Sequence, residues 1–213
     1  MNRFAELEEL LAKNNPRFIC LDLRMPQLGP ERFVASIRHE TTPALHAATL
    51  DELRRQLPEL PQLVELYAGH GSIRLYCDTT FHVAKDCYAS AFYIAHPDEW
   101  EDLRLGLDDW FADLSEKERA EYLPEWIDDC LVFGEIPHSG NYFLIPLTGP
   151  ETGSVYEFEH DGFEFIRQAD SIAGFMSTIC TVNDALLRSI SGHTYYHDGK
   201  TDTQWYAQGY EHD

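Results

Sequence analysis

The sequence predicts an α+β fold in which a single antiparallel sheet is flanked by helices, with extensions at both ends. Three observations predict it. Apolar residues recur at helical spacing through much of the N-terminal third. From Ser72 the period changes to alternation. Between Asp129 and Gln168 four strand-like runs follow one another across short turns, and a helix closes the series.

Taken in order, Phe4, Leu7, Leu10 and Leu11 share one face of a helix over 2–13, stopped by Asn14-Asn15-Pro16. The stretch RFICLDL (17–23) alternates Ile19, Leu21 and Leu23 as a short strand. Pro30 suits the first turn of a helix carrying Phe33, Val34 and Ile37, broken at Thr41-Thr42-Pro43. The next helix starts near Thr49 with Asp51 and Glu52 in its first turn, where the dipole favours acids, and Leu57-Pro58 interrupts it. LPQLVELYAGHG (60–71) reads as a further helix, stopped by Gly69.

SIRLYC then places Ile73, Leu75 and Cys77 on one strand face, and CYASAFYIA (87–95) is a second, more buried strand. A charged stretch, 97–124, carries Trp100, Leu103, Leu107, Trp110, Phe111 and Leu114 at helical spacing. Ser115 with Glu118 forms a capping box for a second short helix. Strands follow at 129–135, 141–147, 153–159 and 162–168, with turn chemistry at Gly149-Pro150 and Asp161-Gly162. Asp170 or Ser171 caps one long final helix, 171–190, whose Phe175, Ile179 and Leu186 face inward. After Gly192, Asp198-Gly199 between two Tyr/Trp-bearing arms predicts a terminal hairpin.

The 213 residues, 44% hydrophobic and 25% charged, suffice for a sizeable core and lie outside the range of wholesale disorder. Uninterrupted apolar runs of membrane-spanning length are absent, and the acidic N-terminus lacks a signal peptide's basic start and apolar centre. A cytoplasmic protein is expected. The five cysteines are scattered, odd in number and never spaced CxxC, which argues against a disulfide framework and a zinc site. Sixteen basic against 37 acidic residues give a net charge of −21. Such a field repels nucleic acid and anionic membrane and accelerates encounter with a basic partner. The same acidity also serves plain solubility.

Chemistry-bearing motifs are sparse. His193 and His197 are four apart, with Asp198, His160 and Asp161 as further candidate ligands. In an extended segment that spacing separates the imidazoles by roughly 13 Å, too far to share one ion. HExxH, GxSxG, GxGxxG and the phosphate-binding GxxxxGK[ST] are all missing. Ser139 beside His138 sits in the turn-like PHSGN, and no cysteine has a legible activating context. Carboxylate pairs such as Asp108-Asp109, Asp128-Asp129 and Glu157/Glu159 read as solvated faces, and His160-Asp161-Gly162 as the end of a hairpin. No catalytic residue, cofactor or metal ligand is expected.

Three stretches in order, LPQLVELYAGHG, FGEIPHSGNYFLIPLTGPETGSVYEFEHDG and ADSIAGFMSTI, resemble the SUKH superfamily in its Smi/Knr-type branch. The resemblance covers 45–182. It leaves 1–44 as an N-terminal elaboration and 183–213 as a helix end plus an aromatic hairpin or tail. Gly69-His70-Gly71 stands where the family has Asn-Gly, Asn141–Leu147 replaces its compact aspartate-bearing strand, and the 97–124 stretch is long for it.

The resemblance implies a non-enzymatic α+β domain. Most bacterial members are cytosolic immunity proteins that bind and neutralise a cognate polymorphic toxin, often a nuclease or deaminase. Others, including yeast regulators, are interaction hubs. A basic toxin domain is the partner that the −21 charge suits. Asp98, Glu99, Glu101, Asp102, Asp108 and Asp109 are then expected to supply the steering field, with Trp100 or Tyr142 as anchor. The alternative is that Trp100 and Trp110 are core and the acids only a solvated face. Two other readings stay open: a regulatory scaffold, and a small metal-dependent hydrolase using His160, Asp161, His193 and His197.

Overall fold

The computed structural model describes residues 2–22, 31–79 and 89–213. The chain forms two compact units, Met1–Glu40, Arg74–Phe92 and Met176–Asp213 making the first, Thr41–Ile73 and Tyr93–Phe175 the second. The fold is α+β, with one open antiparallel sheet and seven α-helices among the described residues. The strands are β1 (Arg17–Leu21), β2 (Arg32–Pro43), β3 (His70–Asp78), β4 (Phe92–Ile94), β5 (Cys130–Ile136), β6 (Asn141–Pro146), β7 (Val155–Glu159), β8 (Glu164–Ala169) and β9 (Tyr206–Glu211). Their order is β8-β7-β6-β5-β4-β3-β2-β1-β9. The helices are α1 (Ala5–Leu11), α2 (Ala47–Gln56), α3 (Pro61–Gly69), α4 (Trp100–Phe111), α5 (Glu116–Tyr122), α6 (Ile172–Cys180) and α7 (Asp184–His193). None of the described helices is long and apolar enough to cross a membrane.

In the first unit, β1 pairs antiparallel with β2 on one side and β9 on the other. Phe18 of β1 is fully buried and stacks on Tyr76 at 5.5 Å, with Tyr196 edge-on at 5.2 Å. Tyr76 holds φ +59, a left-handed conformation costing about 1–3 kcal/mol for a non-glycine. Its surroundings fix that conformation: the hydroxyl donates to Ile179 O (2.8 Å), the backbone N–H to His39 Nδ1 (3.2 Å), and its carbonyl accepts from the Tyr196 hydroxyl (2.9 Å).

Burial pushes the His39 imidazole pKa down to about 4 from 6.5. The unfolded chain therefore takes up the proton first. The associated stability is complete above pH 6.5 and is lost as pH falls towards 4, about 3 kcal/mol at most. His39→Gln, which keeps an acceptor for Tyr76, is expected to flatten the urea midpoint against pH across that window relative to wild type.

The second unit surrounds β4–β8. On one face Leu107 and Phe111 of α4 pack with Ile127, Val132, Leu144 and Phe158. On the other, Phe175 of α6 meets Phe133 (5.9 Å) and Phe143 (4.9 Å). Strand alternation divides the two sets, Val132 from Phe133 and Leu144 from Phe143. The expected capping box is present: Ser115 Oγ accepts from Glu118 N, and Glu118 Oε2 accepts from Ser115 N (2.9 Å).

Several expectations are corrected. The helix carrying Phe33, Val34 and Ile37 is instead β2, in which Ala35 and Ile37 are buried and Val34 and Ser36 exposed. The same apolar residues satisfy both periods over so short a run, and β-branched Val34, Ile37, Thr41 and Thr42 favour the strand. Residue Pro30 lies outside the described residues, as do Leu23 of the first predicted strand and Cys87-Tyr88 of the 87–95 strand. Helix α2 starts at Ala47 without acids in its first turn; Asp51 pairs instead with Arg54 (2.6 Å) and Glu52 with Arg55.

The final long helix is two. Ser171 Oγ accepts from Gly174 N (3.2 Å) at the start of α6, and Asn183 Oδ1 accepts from Ala185 N and Leu186 N to begin α7. The terminal hairpin is reduced to one bridge, Tyr196 with Trp205, after which β9 joins β1.

Candidate partner-binding surface

Helix α4 positions most of the residues singled out from the sequence, and the structure sorts them. Glu99 is engaged within the fold: its Oε2 accepts from the Tyr93 hydroxyl (2.5 Å) and from His96 N (2.9 Å), closing the cap over the turn Pro97–Glu99. Asp108 forms an i,i+4 pair with Arg104, whose Nε donates to both carboxylate oxygens (3.0 and 3.1 Å). Asp98, Glu101, Asp102 and Asp109 are exposed. On α4, Asp102, Leu105 and Asp109 repeat at helical spacing along one exposed side, and Asp98 lies in the turn before it.

Neither expected anchor stands free on that face. The Trp100 ring lies edge-on to buried Tyr67 at 5.7 Å. Tyr142 is pressed under α4: a Cβ on Gly106 would lie 2.5 Å from its hydroxyl oxygen, and burial pushes that phenol's pKa up. The aromatic that α4 presents to solvent is Trp110, 41% exposed, which the sequence pattern assigns to the core. Its ring lies 5.0 Å from that of His160 and 6.4 Å from Phe158. Gly140, at φ +84, makes room for it, since a Cβ there would come 2.8 Å from Trp110 Cζ2. Gly140→Ala is expected to cost about 1–2 kcal/mol in a denaturation experiment, through the left-handed φ and the displaced indole.

The ring under Trp110 is held from within. His160 Nδ1 lies 2.8 Å from Asn141 Oδ1, and because an amide oxygen only accepts, Nδ1 carries the hydrogen. The backbone N–H of His160 donates to the same oxygen (3.2 Å). Fully buried Asn141 donates through Nδ2 to Glu157 Oε1 (2.8 Å), and Gln168 Nε2 donates to Glu157 Oε2 (2.8 Å). Glu157, read as half of a solvated pair with Glu159, is in fact 8% exposed. The face of β7 opposite Phe158 is covered as well, by Asn141 and Gln168, and these amides satisfy the carboxylate. Single-strand alternation cannot reveal such a cross-strand network.

Glu159, His160 and Asp161 bring one ligand atom each within 4.8 Å of one another. In that group Nδ1 is committed to Asn141, Nε2 faces Asp161 Oδ1 (3.0 Å), and Glu159 accepts from the backbone N–H groups of Asp161 and Gly162. The arrangement is a cross-braced hairpin turn, in which the left-handed residue is Phe163 (φ +53) rather than Gly162. The other two histidines of the hydrolase reading belong to the first unit. His193 ends helix α7, contrary to the extended segment expected, and His197 N donates to buried Asp78 (2.8 Å).

A cleft of about 570 Å³ lies in the second unit, lined by Thr42, His46, Ser72, Tyr93, His96 and Glu99 among others. Gly71 is required at its side, since a Cβ would meet Pro43 O at 2.5 Å. The Ser72 hydroxyl is paired with that of Thr42 (3.0 Å). Cys20, Cys77, Cys130 and Cys180 are buried and free, and burial pushes each thiol pKa up to about 12, far from a nucleophile's range.

No family model and no curated protein matches the chain.

Proposed function

We propose that the protein is a cytoplasmic immunity protein of the SUKH superfamily that binds and neutralises a basic toxin domain by contact alone. The observation that carries this reading is the outward face of α4. There Asp102 and Asp109 share one exposed side with Glu101 near them, Asp98 precedes them in the turn Pro97–Glu99, and exposed Trp110 follows, on a chain of net charge −21. Dense like charge raises the encounter rate with a partner of opposite sign, and a rigid aromatic slows its departure.

Affinity capture from the native host at low salt, followed by mass spectrometry, tests the proposal. The expected result is one basic polypeptide whose toxicity or enzymatic activity is abolished at a one-to-one ratio. A captured partner that retains full activity, or a stoichiometric metal ion with hydrolytic turnover, would overturn it.

A further inference from the structure

We infer that Trp110 is a stacking platform for an arginine side chain of the partner, set by His160, with the Asp161 carboxylate at that imidazole and Asp109 preceding the indole on α4. This deepens the proposed function by naming the side chain it receives, and it rests on that reading only for the partner's identity.

The indole is exposed but not loose. Phe158 and His160 lie against it at 6.4 and 5.0 Å, and Gly140 leaves clearance for its six-membered ring. His160 is in turn tied by both its backbone and ring nitrogens to Asn141, which is anchored on buried Glu157. Pre-ordering of this kind lowers the entropy lost when a ligand stacks. The chemistry around the ring favours a cation. Asp109 precedes Trp110 on α4, and the exposed Asp161 carboxylate stands 3.0 Å from His160 Nε2. Glu159 lies in the same cluster but serves the turn's N–H groups.

A flat guanidinium both stacks on an indole and presents a fork of N–H donors to carboxylates, which an ammonium does not. A second apolar face would leave Asp109 and Asp161 uncompensated, and an acidic ligand would be repelled. The committed occupant is therefore arginine from a basic partner.

The test uses the intact ¹⁵N-labelled protein and N-acetyl-arginine amide, with the lysine and citrulline analogues as controls. The sequence has four tryptophans, and Trp110→Phe assigns the relevant indole N–H signal. A concentration-dependent shift of that signal is expected with arginine, several-fold weaker with lysine and absent with neutral citrulline. It should disappear in the Asp109→Asn, Asp161→Asn double variant.

No Trp110 shift, an equal shift with citrulline, or an unchanged shift in the double variant would overturn the assignment. These readouts need no toxin, so their failure is separable from failure of the immunity reading. Conversely, Trp110→Leu is expected to weaken a captured partner at least tenfold. A partner that neutralises normally with less than threefold loss would sink the platform while leaving the immunity function standing.

Discussion

Replacing Glu101 and Asp102 together by lysine is expected to slow association with the proposed basic partner by about tenfold or more at low ionic strength. It should also flatten the dependence of that rate on salt, with dissociation changing little. The choice follows from the sorting of the acids on α4. Reversing Glu99 would break the cap that it forms with His96 and Tyr93, and reversing Asp108 would set a second cation against Arg104. Loss of binding there would confuse folding with recognition. Glu101 and Asp102 are exposed and lie away from Trp110, at the start of α4, so their reversal changes the field and leaves the core alone. Stopped-flow mixing across a salt series reads both rates. An association rate that stays at the wild-type value would remove α4 as the source of steering.

The largest effect on stability is expected at Phe158. Its side chain is 0% exposed, and its ring meets those of Phe111 (5.3 Å), Phe163 (5.2 Å) and Phe165 (5.2 Å). Truncation to alanine removes the hub of a cluster fed by α4, β7 and β8. Phe158→Ala is expected to cost about 3–5 kcal/mol, since neighbours drawn from three elements relax only partly into the cavity. Leu105→Ala, on the exposed side of α4, is the control and should stay within about 0.5 kcal/mol. Urea midpoints of the two variants decide it, and a loss below about 1 kcal/mol at Phe158 would mean that the cluster closes around the gap. Because Phe158 also supports Trp110, the folded fraction of the variant should show a displaced indole signal.

Much of the second unit was legible in the sequence because its signals are local. Strands β5 to β8 announce themselves by alternation between turn residues, α3 by an apolar run that stops at Gly69, and α5 by the Ser115–Glu118 box. The failures are equally physical. In β2, Phe33, Val34 and Ile37 fit a helical turn as well as a pleat, and β-branched content together with pairing to β1 decides. Asn183 was a readable cap, yet apolar spacing continued past it and hid the break between α6 and α7.

The candidate surface was half legible. Charge density on α4 is a property of composition and survives the loss of three-dimensional information. The anchor is not: Trp110 lies at the edge of the apolar arc, and whether an edge residue is covered depends on what the β7–β8 turn brings beside it. Likewise, the Asn141–Glu157–His160 network joins residues from two strands that no spacing rule connects.

The pairing of β1 with β9 has a consequence for biosynthesis. Arg17, in the first strand, reaches across to Asp213, 196 residues away, while the second unit is encoded between the segments that make up the first. On a ribosome adding roughly 5–20 residues each second, β1 waits some ten seconds or more for its outer neighbour. During that wait one edge of β1 is open to strands from other nascent chains. The second unit, ending at Phe175, has all its residues in hand about 2–6 seconds before β9 begins. The order of synthesis therefore lets the acidic second unit complete its chain before the first unit closes, and a chain stalled before Tyr206 would display the former without the latter.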